Sequence, residues 1–297
     1  MALEFGKTTF KELTSNLELV EKWLCANGIN IKGSRFEAVK KNAIEIANYQ
    51  EQGKTSEIIA QLGNKTVIAS LIEAAPFNDI YMAFKSLKSH EIPRSRLKSI
   101  IAGTFLIEDE DATTNQARNS LFELELAVLI KSKGIGILNF NDISFNLENA
   151  IFNIQCKRPM STKSLDANVQ EAISQAFAFF KKVDVGIDCR GIIAVSIDKI
   201  LGFDKDKIIN TPNSVSLENY IKMRSKALVD QMGYVWNKIK DPRILAVFVF
   251  FKGVAQVQET NLLSVVKFTT VVELADNMID YSRLRILEGK LLSQSQF

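Results

Sequence analysis

The sharpest alternation of apolar and polar residues along the chain lies at residues 151–158, just before a proline. Strict period-two alternation is typical of a β-strand that buries one face. Pro159 fits the end of such a strand, because proline lacks a backbone donor. The two faces would carry Phe152, Ile154 and Cys156 on the apolar side, and Asn153, Gln155 and Lys157 on the polar side. The pattern therefore predicts a strand that presents an amide and an ammonium side by side.

A second alternating stretch, residues 142–148, precedes this strand along the chain. We predict that Asn149 and Ala150 form the turn between the two, since asparagine tolerates the positive φ of a tight hairpin. The two stretches would then pair as antiparallel strands, each with one face in the core.

The register of this hairpin decides which polar side chains meet. With Asn149 and Ala150 as the loop, Asp142 lies opposite Lys157 and Ser144 lies opposite Gln155. A shift of one residue would set apolar side chains against the polar face, so the pattern disfavours it. The hairpin is thus predicted to gather an acid, an amide and a lysine on one patch.

A helix is predicted upstream of the hairpin, over residues 117–131, and it is apolar almost all round. Such a helix must be buried, yet it contains Glu123 and Glu125. A helical wheel places Glu125 among the most apolar side chains and Glu123 on the opposite side. A buried carboxylate needs a cation, a metal or hydrogen-bond donors. Each glutamate is therefore either a site residue or a salt-bridged or surface residue.

The first 110 residues show helical spacing without strand-like alternation, and residues 9–103 predict four to six helices. The acidic run Glu108–Asp111 is interpreted as a linker, which gives a helical domain at 1–110 and a second domain at 111–297. Basic residues cluster around Pro93, where they either contact nucleic acid or form a solvated face. They are Lys85, Lys88, His90, Arg94, Arg96 and Lys98.

Downstream of the hairpin, helices are predicted at 168–182 and 219–240, and strands at 192–197, 243–252 and 263–274. The expected fold class is α+β or α/β. A helical N-terminal domain would be followed by a mixed sheet of five or six strands flanked by helices. Residues 293–297 are expected to form a frayed tail.

Composition narrows the classes of function. The chain of 297 residues is 46% apolar and 24% charged, as in ordinary globular proteins, and its net charge of +3 permits nucleic-acid binding without requiring it. Its three cysteines lie far apart, and its single histidine excludes sites built on several imidazoles. The longest apolar run, 244–251, is too short to span a bilayer as a helix. We expect a cytoplasmic protein without a membrane partner.

The order of acid-bearing helix, glycine turn, strand, Asp142, hairpin and Gln155-x-Lys157 resembles the PD-(D/E)xK nuclease superfamily over residues 117–201. The glutamine variant resembles the catalytic domains of methyl-directed restriction endonucleases. The resemblance implies a restriction-endonuclease-like fold, Mg²⁺ or Mn²⁺ as cofactor and DNA as substrate. Two positions depart from the family pattern: Asn141 replaces a proline, and Gln155 replaces the second carboxylate, which leaves the metal site one charge short.

The resemblance also implies roles for individual residues. Asp142 would be the principal metal ligand, with the Gln155 amide oxygen and the Cys156 main-chain carbonyl as weaker ligands. Lys157 would position or help deprotonate the attacking water and offset charge on the phosphate. The missing acid would come from the helix, where the family pattern of an acid between Phe and Leu ranks Glu123 ahead of Glu125.

Residues around this centre are expected to bind nucleic acid, namely Arg158, Lys163 and Gln175. Gln170 or Gln175 would reach the site from the helix at 168–182, as glutamines do in some relatives. The alternative for both glutamines is a solvent-facing position.

Three interpretations stay open. In the first, the protein is a metal-dependent DNA nuclease of phage defence, restriction or repair, whose N-terminal helices recognise a target, a partner protein or a second subunit. In the second, it is a nucleic-acid-binding or assembly module that keeps the nuclease fold without turnover, as Gln155 suggests. In the third, the motif is accidental, which leaves unexplained why Asp142, Gln155 and Lys157 share a face.

Overall fold

The structure is a computed structural model that describes residues 2–5, 10–87, 93–111, 113–140, 143–183, 186–201 and 208–292. Of the basic cluster around Pro93, Lys88 and His90 lie outside these residues, as does the predicted tail at 293–297.

Five helices occupy the described residues between 10 and 101, within the predicted number of four to six. They are α1 (Phe10–Ala26), α2 (Arg35–Glu51), α3 (Thr55–Leu62), α4 (Asn64–Phe84) and α5 (Arg94–Ile101). A short strand, β1 (Ala2–Phe5), precedes them and pairs with the far end of the chain. Four residues are too few to show a period, so the sequence pattern gave no sign of this strand.

The described residues form one mixed sheet of eight strands, so the predicted number of five or six is too low. The other strands are β2 (Ile137–Asn139), β3 (Ser144–Leu147), β4 (Ala150–Lys157), β5 (Cys189–Ser196), β6 (Ile209–Thr211), β7 (Ile244–Val257) and β8 (Leu262–Glu273). The order is β1-β8-β7-β5-β4-β3-β2, and β6 pairs with β7. Strands β4, β5 and β7 run parallel, while antiparallel pairs extend the sheet on both sides.

Helices cover both faces of this sheet, which confirms the mixed α and β class. They are α6 (Gln116–Ser132), α7 (Thr162–Lys182), α8 (Asp198–Leu201), α9 (Ser214–Gln231), α10 (Gly233–Trp236) and α11 (Met278–Leu292). On one face, α6 and α11 pack over Phe152, Ile192 and Phe248. On the other, α7 and α9 pack over Ile193 and Val249. Because successive side chains of a strand point to opposite faces, the buried central strands are apolar on both.

The turn between β3 and β4 lies one residue earlier than predicted. Glu148 and Asn149, not Asn149 and Ala150, occupy it, with φ of 48° and 60°. A two-residue hairpin loop of this kind needs positive φ at both positions, and alanine resists it. Ser144 consequently pairs with Asn153 rather than with Gln155. The register differs from the predicted one by two residues, which leaves every side chain on its predicted face.

The helical region and α6 share one apolar core. Leu121, Leu124 and Val128 of α6 are buried in the same cluster as residues of α1, α4 and α5. Helix α4 is long and apolar enough to cross a membrane by length and composition, but 67% of its apolar window is buried inside the protein. That burial is what a core helix of this composition requires.

Candidate functional site

Lys157 and Gln155 project from the carboxyl end of β4 toward helix α7. Lys157 Nζ lies 2.7 Å from Glu171 Oε1 of α7. The lysine side chain is only 10% exposed, whereas the Glu171 side chain is 59% exposed. The lysine is therefore largely covered by the helix, while its carboxylate partner is exposed to solvent.

The polar face of β4 forms a ladder of side chains. Gln155 Nε2 donates to Asn153 Oδ1 over 2.6 Å, and Asn153 is fully buried. A buried amide requires hydrogen bonds, and the contact with Gln155 supplies one. The predicted alternation along β4 is thus confirmed, and helix α7 covers the polar face.

Helix α7 starts earlier than the predicted residue 168 because Ser161 and Ser164 form a reciprocal capping box. Its apolar residues pack on the sheet and leave Glu171 and Gln175 on one side, four residues apart. Gln175 Nε2 donates to Glu171 Oε1 over 3.0 Å. Gln170 and Gln175 are both exposed, which is the alternative given for them, although Gln175 contacts the carboxylate that pairs with Lys157.

Glu171 is the residue that the sequence reasoning missed. Its Oε1 accepts from Gln175 and lies beside Lys157, so the crossover helix places an acid next to the lysine at the end of β4. The signal that identifies it is positional. A helix that follows the end of a parallel strand crosses back over that strand, so an acid one turn before Gln175 comes near Lys157.

Glu123 reaches the same end of β4 from the opposite face of the sheet. It forms an ion pair with Arg96 of α5, and both lie near the thiol of Cys156. Burial raises the pKa of Cys156 well above its ordinary value, and the Glu123 carboxylate raises it further. Glu123 is thus salt-bridged and stands on the Cys156 side of the strand, not on the Lys157 side.

Glu125 lies away from this group. Its carboxylate forms ion pairs with Lys252 of β7 and Lys267 of β8. Burial alone would raise the pKa of Glu125, but the two lysines outweigh burial and the net shift is downward. Of the partners expected for a buried carboxylate, namely a cation, a metal or hydrogen-bond donors, the structure provides two cations.

The expected nucleic-acid contacts fall in different surroundings. Lys163 is exposed in the first turn of α7. Arg158 is only 8% exposed, and its Nη1 lies 2.7 Å from Glu110 Oε2. Its guanidinium is therefore bound inside the protein, away from a surface that a phosphate would reach.

Asp142, the expected principal ligand, lies outside the described residues. Within the residues that the structure covers, no three His, Cys, Asp or Glu side chains group as a metal site. The donors at the end of β4 are oxygens: the Gln155 amide, the Cys156 carbonyl and the Glu171 carboxylate. Oxygen donors are the type that hard divalent cations prefer, and in this structure the Glu171 carboxylate is paired with Lys157 and Gln175.

The chain was compared with protein-family models, curated proteins and solved structures, and none of them matches it. Any functional assignment therefore depends on the motif and on the geometry around Lys157. That geometry is a largely buried lysine paired with an exposed carboxylate at the end of a parallel strand, with Gln155 on the same face of the strand and Gln175 bonded to the carboxylate.

Proposed function

We propose that the protein is a Mg²⁺-dependent nuclease of the PD-(D/E)xK type that hydrolyses DNA phosphodiester bonds. The main support is the placement of Gln155 and Lys157 on one face at the end of β4, next to an acid on α7. The order of elements from α6 through β2, β3, β4 and α7 to β5 also agrees with the order on which the resemblance rests.

Glu171 takes the role of the second carboxylate in this proposal. It would hold the cation together with Asp142 and the oxygens of Gln155 and Cys156, which offsets the charge lost at position 155. A bound Mg²⁺ would supply a more acidic water and neutralise charge on the phosphate. The pair between Lys157 and Glu171 is compatible with this role, because an incoming phosphate gives the ammonium a second anionic partner.

Lys157 acts on the substrate through its ammonium group. Its Nζ donates hydrogen bonds to a phosphate oxygen and to the attacking water, and so stabilises the charge that develops on the phosphate. Little side-chain entropy is lost in this step, because Glu171 and the packing of α7 already restrict the lysine.

The decisive experiment is cleavage of supercoiled plasmid DNA with Mg²⁺ or Mn²⁺. Lys157→Ala and Asp142→Ala are expected to lower the cleavage rate by about 100-fold or more, since each removes charge stabilisation at the reacting phosphate. Lys181→Ala is the matched control, because Lys181 is an exposed lysine near the other end of α7. Circular dichroism should show the same fold in all four proteins.

Two results would refute the nuclease proposal. One is cleavage that persists in Lys157→Ala at the wild-type rate. The other is DNA binding by the wild type without cleavage in either metal, on unmodified and on methylated plasmid alike. The second result would support the alternative below.

The alternative is a nucleic-acid-binding or assembly module that keeps this fold without turnover. It is favoured by the 10% exposure of Lys157 and by its direct neutralisation by Glu171. In either case the helices α1 to α5 would provide the surface for a target, a partner protein or a second subunit. A role in phage defence, restriction or repair belongs to the nuclease proposal.

A further inference from the structure

A cavity of about 490 Å³ lies on the face of the sheet opposite α7, between α4, α6, the strands β7 and β8, and the end of α11. Close-packed interiors leave few voids larger than a water molecule, so a space of this size is not a packing defect. It falls within the range of small-molecule pockets. Its rim includes Met82, which is 49% exposed, so solvent reaches it.

The cavity lies where the covering helices leave part of the central strand β7 open. Residues 244–249 of this strand are buried, whereas Phe250 and Lys252 are partly exposed and line the cavity. These two side chains share one face of the sheet, because they are two residues apart. A central strand of this kind is normally covered on both faces. The open part therefore leaves Phe250 with apolar surface that another molecule can bury.

The walls around Phe250 are apolar. Phe122 of α6 meets the Phe250 ring edge to face, with ring centroids 5.6 Å apart, and Leu126, Leu129 and Leu291 complete the wall. Aromatic rings pack favourably against other rings in offset or edge-to-face arrangements. This part of the cavity therefore favours an apolar molecule, and in particular one that carries rings.

The charged end of the cavity is neutralised within the protein. Glu125 forms ion pairs with Lys252 and Lys267. Lys267 Nζ also lies 3.5 Å from Asp79 Oδ2, so two carboxylates match two ammonium groups. The side chains of Lys252 and Glu125 are only 12% and 13% exposed, so a ligand that covers them removes little water. A charged ligand finds no unmatched counter-charge at this end.

The other two lysines of the described lining are also engaged within the protein. Lys131 Nζ donates to the Ala83 carbonyl oxygen over 3.3 Å and lies 5.3 Å from the centre of the Phe84 ring. Lys133 has a partner as well. An ion that enters such a site loses its hydration without gaining a counter-ion, which is costly. The cavity therefore disfavours ligands of either charge.

We propose that this cavity binds a neutral aromatic molecule, which packs its rings against Phe122 and Phe250. The neutral character follows from the matched charges, and the aromatic character follows from the ring pair in the wall. A cavity of about 150 Å³ lined by apolar side chains holds one benzene molecule, so about 490 Å³ accommodates roughly three rings. The site is separate from Lys157, since it lies on the opposite face of the sheet.

Fluorescence titration of the full chain tests the proposal. The probe is N-phenyl-1-naphthylamine, a neutral molecule of three rings that fluoresces strongly in apolar surroundings, and it is expected to bind saturably at about one molecule per chain. Three competitors share a naphthalene body: 2-naphthalenemethanol is neutral, 2-naphthoate is an anion and 2-naphthylmethylammonium is a cation. The neutral competitor should displace the probe at a concentration about tenfold lower than either ion, because only the ions lose favourable hydration.

Two tryptophan variants locate the binding. Leu129→Trp fills the cavity from a half-buried position in its wall and should weaken probe binding by about tenfold or more. Val215→Trp is the matched control, because Val215 is 65% exposed on α9, a helix that packs on the other face of the sheet. This control should bind the probe with wild-type affinity. Urea midpoints of the unliganded variants show that each is folded.

The proposal is overturned if the probe does not bind saturably, or if either charged competitor displaces it as well as the neutral one does. It is equally overturned if folded Leu129→Trp binds the probe with wild-type affinity. None of these outcomes bears on cleavage at Lys157, so the two proposals fail independently.

Discussion

The carboxylate of Glu110 gives the sharpest test of how this protein is held together. Its side chain is fully buried, although the acidic run that contains it has the composition of a solvated linker. Glu110 lies 2.7 Å from Arg158 Nη1, 2.8 Å from Lys199 Nζ and 3.5 Å from Arg118 Nη1. We predict that Glu110→Gln, which keeps the shape and removes the charge, destabilises the protein severely.

The magnitude follows from the charges that remain. Each contact of this kind is worth about 4 kcal/mol at an effective dielectric constant near 20. Desolvation offsets part of that, so that removing one partner of a buried pair costs about 3–5 kcal/mol. Domains of this kind are stable by about 5–15 kcal/mol. The urea midpoint of Glu110→Gln should therefore fall by roughly 1–2 M.

Glu108→Gln is the matched control in the same acidic run. Glu108 pairs with Lys65, and their side chains are 35% and 42% exposed. A surface pair of this kind contributes about 0–1 kcal/mol, so this variant should unfold close to the wild type.

The pH dependence of the stability gives a second test of the same prediction. Burial tends to raise the pKa of Glu110, but Arg158 and Arg118 outweigh it and the net shift is below the ordinary value of 4.5. A group with a lowered folded pKa stabilises the protein above its unfolded pKa, and this contribution is lost as the pH falls through the folded value. The difference in free energy of unfolding between the wild type and Glu110→Gln should thus be largest at pH 7 and should shrink below about pH 4.5.

The reasoning is refuted if Glu110→Gln unfolds at the same urea concentration as Glu108→Gln at pH 7. It also fails if the gap to the wild type stays constant as the pH is lowered past 4.5, because a contribution from the charge must then be absent.

Other contacts give shorter predictions for four variants. Gln155→Glu adds a carboxylate beside Lys157, so the Mg²⁺ concentration for half-maximal plasmid cleavage should fall about tenfold; an unchanged requirement would separate position 155 from the cation. Glu125→Gln leaves Lys252 and Lys267 opposed and should lower the free energy of unfolding in urea by about 3 kcal/mol. Glu123→Gln removes the ion pair with Arg96, in which the side chains of Arg96 and Glu123 are 21% and 27% exposed. This variant should lower the free energy of unfolding by only about 1 kcal/mol. Equal losses in Glu125→Gln and Glu123→Gln would contradict the reasoning. Removal of residues 1–110 exposes Leu121, Leu124 and Val128, and the burial of each of these side chains contributes about 1.5–3 kcal/mol. The fragment 111–297 should therefore lose its cooperative unfolding transition in urea. A cooperative transition with the midpoint of the full chain would refute this prediction.

The hairpin shows why faces were easier to predict than register. The alternation of Phe152 and Ile154 with Asn153 and Gln155 fixed the faces, because a period of two leaves only two choices. The turn was misplaced by one residue, since Glu148 adopts a positive φ that its residue type does not signal. The error moved the pairing by two positions and left the faces unchanged.

The ion pairs show what a local pattern cannot contain. The wheel around Glu125 indicated that its carboxylate needs a cation, a metal or hydrogen-bond donors, but it could not identify Lys252, which lies 127 residues further along the chain. Glu171 was missed for the same reason, since its contact with Lys157 arises only when α7 crosses back over β4. Glu110 was interpreted as part of a linker, because nothing in four consecutive acids marks which one is buried.

The position of Lys157 depends on the helical region through its neighbour Arg158. Consecutive residues at a strand end point in opposite directions, so Lys157 contacts Glu171 of α7 while Arg158 contacts Glu110. Glu110 also lies near Arg118 of α6, whose Nε is 2.6 Å from Glu73 of α4. The carboxyl end of β4 is thus linked through buried charges to the core of the N-terminal helices. Those helices therefore support the end of β4 that carries the proposed site.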